Sequence, residues 1–276
     1  MNFQGADLRH VDLRHASLLE ANFEGADLRG AILIKTKIER GNFTGANLEG
    51  ADMKDADLTG ACFKNAMLMD VDLRKTRLEQ ANFTKADLSN ALLEGCELPG
   101  CCFEESNLSG ARLVAANLTQ AQFSGANLTK ANLSKAQMSV ANLRKATLEG
   151  ASLEGANLVA ADLTGANLHQ TNLCDAKLVA AVLQGITCWD SALMLGTNLT
   201  GAVRPPAELR NYAKKQGAIL AGPLVILLQG VGVWNAWRKE NPGAALSLQG
   251  ADLSWSDLLN ADLHGVDLSD SNLSGA

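Results

Sequence analysis

The stretch Ala21-Asn22-Phe23-Glu24-Gly25-Ala26-Asp27-Leu28-Arg29-Gly30 decides the fold of this chain. It holds two copies of a five-residue repeat: a small residue, Asp or Asn, a large apolar residue, a polar residue and then often Gly. We call the large apolar residue the centre of its repeat. The same repeat recurs along almost the whole chain, which predicts an architecture assembled from many similar small parts.

The centres fall every five residues from Phe3 to Leu193 without a break in register, and only Cys188 among them is small. A period of five fits neither the 3.6-residue period of an α-helix nor the 2.0-residue period of a strand. Each repeat must therefore be one side of a coil, because it is too short to be a supersecondary element by itself.

The phenylalanines indicate how many sides the coil has. All seven are centres, and they are spaced by twenty residues: Phe3, Phe23, Phe43, Phe63, Phe83, Phe103 and Phe123. Twenty residues are four repeats, so four sides per turn would place each ring over the previous one. Aromatic rings about one strand spacing apart can form offset stacks. The spacing therefore predicts a four-sided coil with an aromatic ladder along one edge of its core.

Two further stretches show the repeat in its plainest form, Ala46-Asn47-Leu48-Glu49-Gly50 and Ala161-Asp162-Leu163-Thr164-Gly165. These repeats resemble the pentapeptide-repeat family, in its bacterial, cyanobacterial-type form, over residues 1–202 and 247–276. The resemblance implies an all-β fold, a right-handed quadrilateral β-helix (a solenoid). The length of the first block predicts about ten coils, and the residues after it predict a short α-helical segment and a partial second repeat block. It also implies that the centres and the small residues face inward and that the other three residues face solvent.

We expect three segments: a pentapeptide-repeat β-helix over 1–202, a helical plug or cap over 203–246, and a short second repeat block over 247–276. The second block is too short to bury a core alone and must stack on something. We favour the helices as a plug between the blocks; the alternative is one continuous column with the helical segment looped out. The sequence ends in mid-pattern, which suggests a truncated chain or an end that pairs with another copy in an end-to-end homo-oligomer.

The boundaries inside these segments are also predicted. The register slips by one residue after Leu193, and a last repeat is centred on Leu199. Trp189 is expected to cover the end of the column. Helices are expected over Ala207–Gln216 and Leu224–Glu240, and the breaks that separate and end them are expected at Gly222-Pro223 and Asn241-Pro242-Gly243.

Composition indicates the compartment. The chain has 276 residues, is 47% hydrophobic and carries a net charge of −6. It shows no basic and apolar leader, and its longest apolar run, Ala218–Leu228, is too short to span a bilayer. The six cysteines have no metal-binding spacing. We therefore expect a cytoplasmic protein with reduced thiols and without a cofactor.

Residues that could carry chemistry are few. The four histidines occupy variable outward positions: His10, His15, His169 and His264. The many Asp and Asn residues before the centres belong to the repeat itself and are expected to hydrogen-bond nearby backbone in tight turns. No nucleophile–base pair, phosphate loop or HExxH motif occurs. The sequence therefore predicts no catalytic, cofactor-binding or metal-binding residues and no enzyme.

The predicted function is a protein-interaction scaffold that presents a rigid surface to a protein partner of unknown identity. Outward apolar residues mark candidate contact sites, of which the main set lies on one side of the coil: Ile32, Ile34, Leu92 and Val114. Smaller pairs are Met67 with Met69 and Val159 with Val179. Trp234 and Trp237 in the basic helical segment are candidates for partner binding or, more simply, for capping a column end.

Two alternatives remain at this stage. Some members of the family resemble duplex DNA and bind type II topoisomerases, which requires a sustained acidic surface. Here the outward residues beside the Leu8 series mix signs, as in Asp7, Arg9, Asp27 and Arg29, which argues against a DNA mimic. The second alternative is a membrane or nucleic-acid contact through segment 203–246, which carries a net positive charge but must first cover the column end.

Overall fold

The computed structural model of the chain describes residues 1–220, 226–228, 230–242 and 246–276. They form two compact units, Met1–Ala218 and Ile219–Ala276. The boundary falls inside the segment 203–246 that the sequence suggests as a single plug, and the first predicted helix lies in the first unit. The predicted break at Gly222-Pro223 and the predicted helix start at Leu224 lie outside the described residues.

The first unit is held together by short parallel bridges between residues twenty positions apart. Asn2 pairs with Asn22, Asn22 pairs with Asn42, and the same step recurs on all four sides of the coil. The N–H of Phe3 donates to the carbonyl of Asn22 at 2.7 Å, and the N–H of Asn22 donates to the carbonyl of Met1 at 2.9 Å. Successive coils therefore satisfy one another's backbone groups, as buried peptide groups require.

The core is a narrow column lined by the centres and the small residues. From Ala21 to Leu183, every centre and every small residue two positions before it is buried. We name the four walls after their first centres: the Phe3, Leu8, Leu13 and Leu18 walls. The buried polar members of the column are also satisfied, since the Thr76 hydroxyl donates to the carbonyl of Met53 at 3.1 Å.

The seven phenylalanine rings stack along the Phe3 wall. Neighbouring ring centroids are 4.8–5.0 Å apart and the planes deviate from parallel by 3–10°. The centroid spacing matches the distance between neighbouring strands, so the backbone ladder itself sets the ring separation. Leucine centres continue this wall beyond Phe123.

Each corner is a tight turn with one left-handed residue. In the turn that follows Phe23, the N–H of Ala26 donates to the carbonyl of Phe23 at 2.9 Å. Gly25, the third residue of this turn, has φ 62°. A positive φ confined to that position is the pattern of a type II turn, which favours Gly. Many corners nevertheless carry other residues in the same conformation, among them Lys75 at φ 59° and Val140 at φ 60°.

The register slip occurs earlier than the sequence predicts. A 3₁₀ helix at Trp189–Ser191 inserts the extra residue, so that Leu193 bridges Asn172, twenty-one residues before it. Leu193 is 52% exposed, whereas Met194 is 1% exposed and is the true centre. Cys188 is exposed and has φ 52°. The predicted inward positions of Cys188 and Leu193 are therefore wrong, because the extra residue forms the helical turn outside the column.

Helix α1, Leu209–Lys215, follows the last coil of the first unit. It begins two residues later and ends one residue earlier than the prediction of Ala207–Gln216. Its Tyr212 hydroxyl donates to the carbonyl of Ala192 at 2.9 Å, and the Tyr212 ring meets Trp189 edge-on at 5.6 Å. Buried Leu209 and Ala213 face the same way, so α1 is tied to the final coil by both apolar and polar contacts.

The second unit combines a helix with a short repeat block. Helix α2 spans Val231–Glu240, and strands β1, Leu246–Ser247, and β2, Val266–Asp267, pair in parallel. Ile226 and Leu227 are helical as well, but Gly230 has φ 114° and ψ 154°. The single helix predicted to run to Glu240 is therefore interrupted, because this backbone conformation at Gly230 cannot belong to an α-helix.

The aromatic ladder makes a test of the column possible. We expect Phe63→Ala to lower the free energy of unfolding by about 3–5 kcal/mol, because it empties a fully buried site between two stacked rings. Phe3→Ala is the matched control, since Phe3 is only half-buried and touches a single ring of the ladder. Urea unfolding followed by far-ultraviolet circular dichroism measures both; equal losses would contradict the stacked column.

Candidate interaction surface

One of the three outward residues of each repeat, the Asp or Asn before the centre, has a structural role. The Asp or Asn before the centre accepts a hydrogen bond from the backbone N–H two residues further on, as Asn22 Oδ1 does from Glu24 at 3.1 Å. This interaction recurs along the chain, for example at Asp52 with Lys54 and at Asn127 with Thr129. The predicted turn-forming role of these residues is therefore confirmed, and much of the polar surface is structural.

The main predicted apolar set does not form one continuous patch. Ile32, Ile34, Leu92 and Val114 all lie on the outside of the Leu13 wall and are half-buried. Ile32 bridges Asp52, and Asp72 bridges Leu92, so two charged coils lie between the isoleucines and Leu92. At about 4.8 Å per coil, the two apolar spots are roughly 14 Å apart.

The charged coils between these spots form an ion network. The Lys54 ammonium lies 3.1 Å from Asp52 and 2.9 Å from Asp72, and Arg74 contacts Asp72 at 2.7 Å. Partial burial raises the pKa of Asp72, but hydrogen bonds from Arg74 and Lys54 outweigh it and hold the pKa below the ordinary value of 3.8. The network thus keeps this part of the Leu13 wall electrically balanced.

The Leu8 wall is balanced in the same manner near its start. Arg9 contacts Asp7 at 2.7 Å and Asp27 at 3.7 Å, and Arg29 contacts Asp27 at 2.6 Å. The hydrogen bond from Arg9 lowers the pKa of Asp7, and that from Arg29 lowers the pKa of Asp27. Because Asp7 and Asp27 are each paired with a guanidinium, the first two coils of this wall do not offer the free negative charge that a DNA mimic needs.

The histidines and cysteines do not converge on a site. Within the described residues, no group of three His, Cys, Asp or Glu side chains could hold a metal ion. The His169 Nδ1 lies 3.1 Å from the Ser191 hydroxyl at the 3₁₀ turn. The Cys96 thiol is buried and donates to the carbonyl of Leu73 at 2.7 Å, and burial raises its pKa to about 12. That thiol is therefore a poor nucleophile at neutral pH.

Two grooves mark the surface of the first unit. The larger has a volume of about 530 Å³ and its lining is mostly charged: Leu19, Glu20, Glu39, Arg40, Asp57, Thr59 and Arg77. The second, of about 470 Å³, lies beside Arg9, Arg29 and Glu49. In the larger groove, Glu20 pairs with Arg40 and Asp57 with Arg77. The residues that line both grooves are mostly polar, whereas a ligand site usually has an apolar lining with a few convergent polar groups.

The two predicted tryptophans have different surroundings in the second unit. Trp234 is fully buried in a cluster with Leu227, Leu248 and Leu253. Its Nε1–H donates to the carbonyl of Asp262 at 2.8 Å. Trp237 is only partly buried, with its ring centroid 5.7 Å from that of Trp234. Trp234 therefore cannot meet a partner directly.

Helix α2 gives the backbone of the second repeat block side-chain partners. Asn235 donates to the carbonyl of Asn260 at 2.8 Å and accepts from the N–H of Asp262 at 2.8 Å. Arg238 donates to the carbonyl of His264 at 2.6 Å. In the first unit such backbone groups bond to a neighbouring coil, so α2 takes the place of a coil at this edge.

Several exposed apolar residues of the first unit lie outside the predicted set. Val140 is 53% exposed, Leu195 is 66% exposed and Val203 is 41% exposed. Sequence reasoning missed them because it searched beside the centres, while Val140 occupies a corner and the other two follow the register slip. A comparison of the residues two positions after each centre, which form the corners, would have found Val140. None of the helices in the part of the chain that the structure describes combines the length and the hydropathy of a membrane span.

The geometry above agrees with the comparisons with known proteins. The family profile described as pentapeptide repeats matches eight copies, over residues 2–34, 42–74, 72–110, 106–139, 141–178 and 247–276. The chain belongs to the pentapeptide repeat family, whose fold is the right-handed quadrilateral β-helix. Among curated proteins, none matches the chain significantly.

Solved structures of the same family are similar to the chain. HetL, a pentapeptide repeat protein involved in heterocyst differentiation regulation from Nostoc sp. strain PCC 7120, is 32% identical; the match covers 68% of this chain and 89% of HetL, with a TM-score of 0.39. Rfr23 from Cyanothece 51142 is 26% identical over 44% of this chain and 86% of its own, with a TM-score of 0.32. A trypsin-treated variant of QnrB1, a plasmid-mediated fluoroquinolone resistance protein, is 23% identical over 72% and 93%, with a TM-score of 0.43.

The ion network on the Leu13 wall predicts a pH dependence. We expect Asp72→Asn to lower the free energy of unfolding by about 1–2 kcal/mol at pH 7, because Arg74 and Lys54 lose a charged acceptor. The folded-state pKa of Asp72 is lowered, so its contribution is full above the unfolded value and is lost as the pH falls through the folded one. The difference from wild type should therefore vanish in acid.

The control for this experiment is Asp55→Asn, at a corner outside the ion pairs that the structure describes. Urea unfolding at pH 7 and at successively lower pH values measures all three proteins. A difference between wild type and Asp72→Asn that did not shrink as the pH fell below 3.8 would contradict the assignment.

The hydrogen bond of Trp234 is also testable. We expect Trp234→Phe to lower the local free energy of opening by about 1–2 kcal/mol, because it leaves the carbonyl of Asp262 without its donor. Trp255→Phe is the control, since Trp255 is 84% exposed. Hydrogen exchange of the amides in residues 246–276 measures the effect; equal protection in both variants would show that the indole N–H contributes nothing.

Proposed function

We propose that the protein is a non-enzymatic scaffold that binds a protein partner through the outer surface of its β-helix. One observation carries the proposal: the column is filled, with every centre and small residue buried from Ala21 to Leu183. Function must then reside on the outward residues. These are held rigidly, because each repeat is fixed to its neighbours by backbone bonds on both sides.

The chemistry of the outer surface supports binding rather than catalysis. The charged residues near the start of the column are paired, as Arg9 is with Asp7 and Arg74 with Asp72. The buried thiol of Cys96 has a raised pKa. What the surface offers is shape, apolar contact and local charge, which are the means of protein recognition.

The proposal includes the number of coils that the sequence predicts. We take residues 1–202 as about ten coils, since the bridges join residues twenty apart along this block. The cytoplasmic location, the end-to-end pairing of copies and the plug between the repeat blocks stay predictions.

Affinity capture tests the proposal. We expect the immobilised folded chain to retain at least one protein from an extract of its native cells, and the heat-denatured chain not to retain it. The retained protein should bind the purified chain in a two-component titration. The alternative partner, a type II topoisomerase, is tested by gyrase supercoiling, which we expect to be unaffected at stoichiometric protein. Failure of the folded chain to retain any protein would contradict the scaffold function.

A further inference from the structure

One corner of the column is apolar over its last coils. It joins the Leu18 wall to the Phe3 wall, and we call it the valine corner; its members are Val140, Val159, Ala160, Val179, Ala180, Val182 and Val203. All seven lie at outward positions and are exposed or half-buried. Val140 is 53% exposed and Val203 is 41% exposed.

Backbone hydrogen bonds make the valine corner continuous. The N–H of Val140 donates to the carbonyl of Val159 at 2.9 Å, and the N–H of Ala160 donates to the carbonyl of Val179 at 2.9 Å. Val182 and Val203 are bridge partners. Members of successive coils are thus direct neighbours, and together they form a single ridge rather than scattered apolar residues.

At the corner position itself, the earlier coils carry polar residues or glycine, although Leu19 is 52% exposed directly before it. This position holds Glu20 in the first coil, Arg40 in the second and Gln120 in the coil before Val140. Arg40 lies 3.6 Å from Glu20, so the charges there are paired. The change from polar to apolar begins at Val140 and continues to the end of the column, which sets this stretch apart from the rest of the corner.

The backbone of the valine corner is unfavourable for the residues it carries. Val140 has φ 60°, and Ala160 and Ala180 have φ 55°. The earlier coils use Gly60 and Gly100 at this corner, with φ 68° and 66°. A β-branched residue in the left-handed region is strained. Val140 is also exposed, so burial does not offset that strain; such an outlier points to a functional contact.

Positive charge borders the valine corner. Lys177 lies two residues before Val179 on the same wall and is exposed, and Arg204 directly follows Val203. Arg204 donates to Gln184 at 3.1 Å. Neither cation is among the ion pairs that the described residues form. By contrast, Arg144 nearby is paired with Asp162 at 3.0 Å. A partner that covers the ridge would therefore meet two cations that can donate hydrogen bonds to its carboxylates.

The shape of the ridge selects between possible occupants. The corner is convex, and three coil steps give it a length of about 14 Å. Two copies meeting ridge to ridge would each bury on the order of 200 Å², whereas a stable complex buries about 800 Å² per partner. The ridge therefore suits a concave partner that wraps around it and also reaches Lys177 and Arg204.

We propose that the valine corner inserts into an apolar groove of a protein partner whose rim carries Asp or Glu side chains facing Lys177 and Arg204. This assignment rests on the proposed scaffold function and names the surface that performs it. It differs from the main set that the sequence suggests, where Ile32 and Ile34 are separated from Leu92 by paired charges. It includes the smaller predicted pair, Val159 with Val179.

The test compares matched variants of the full chain, using the protein that the wild type retains from its native extract. Val179→Asp changes the ridge, and Val114→Asp makes the same change at the equivalent position of the Leu13 wall. We expect Val179→Asp to weaken binding at least about tenfold and Val114→Asp to change it less than about twofold. The double variant Lys177→Glu with Arg204→Glu should also weaken binding, and added salt should weaken the wild type.

Val140→Asn separates binding from stability. Asn tolerates the left-handed conformation better than Val, so the variant should unfold at a higher temperature than wild type and yet bind more weakly. Ala115→Asn is its control, at a left-handed corner outside the ridge with φ 56°; it should leave binding unchanged. A loss of binding in a more stable protein cannot be ascribed to misfolding.

Each remaining outcome overturns the assignment. If the partner still binds Val179→Asp and Val140→Asn with wild-type affinity, the valine corner is not the surface, while the scaffold function stands. If Val114→Asp alone loses binding, the Leu13 wall is the surface. If the wild type sediments as a dimer and Val179→Asp does not, the ridge is a self-association surface. If the wild type binds phosphatidylglycerol vesicles and Val179→Asp does not, the ridge binds lipid. If the wild type retains no protein, both proposals fail.

Discussion

The first unit depends on one constraint: residues twenty positions apart must pair through their backbones on all four walls. The pairing of Asn2 with Asn22 sets the register for every side chain that follows. Because the coil length is constant, identical repeat positions stack, and the phenylalanines of one wall meet ring to ring at 4.8–5.0 Å. A single inserted residue must leave the column, as it does at Trp189–Ser191, or the coils after it would lose their partners.

Because the column is filled, only outward side chains are available for contact with other molecules. The early and the late coils arrange these side chains in two different ways. On the early coils, side chains two residues apart within one repeat neutralise each other, as Arg9 and Asp7 do. On the late coils, the corner carries Val140, Ala160 and Ala180 in a backbone conformation that suits glycine. The first arrangement keeps the surface solvated, and the second leaves apolar area exposed at a cost in local strain.

The sequence alone predicts the parts of the fold that repeat. A five-residue period and phenylalanines twenty residues apart are sufficient for the inward positions of Phe23 and Leu28, because a single geometric rule covers the column. The places where the structure departs from the repeat pattern are harder to predict from the sequence. Leu193 continues the pattern in sequence but not in space, since the 3₁₀ turn before it shifts the register. Gly230 interrupts a helix that the apolar spacing predicts as continuous, because φ cannot be read from a residue type that accepts many values.

The candidate surface is harder to predict than the core for a physical reason. Whether Ile32 and Leu92 form one patch depends on the coils between them, and those coils contribute Lys54 and Arg74 with their carboxylates. The contacts of Trp234 and Arg238 with backbone carbonyls of the second repeat block join residues more than twenty positions apart without any repeat to indicate them. Unlike the Asp and Asn residues before the centres, these side chains bond to backbone at single places and leave no periodic trace in the sequence.

The aromatic ladder has a consequence for biosynthesis. Phe3 to Phe123 all lie in the coils that leave the ribosome first, while the later coils carry leucine at the same wall. A solenoid orders by adding coils to those already formed. The stacked rings can therefore complete a seed during translation, on whose free edge each newly emerging coil finds a template of matching length.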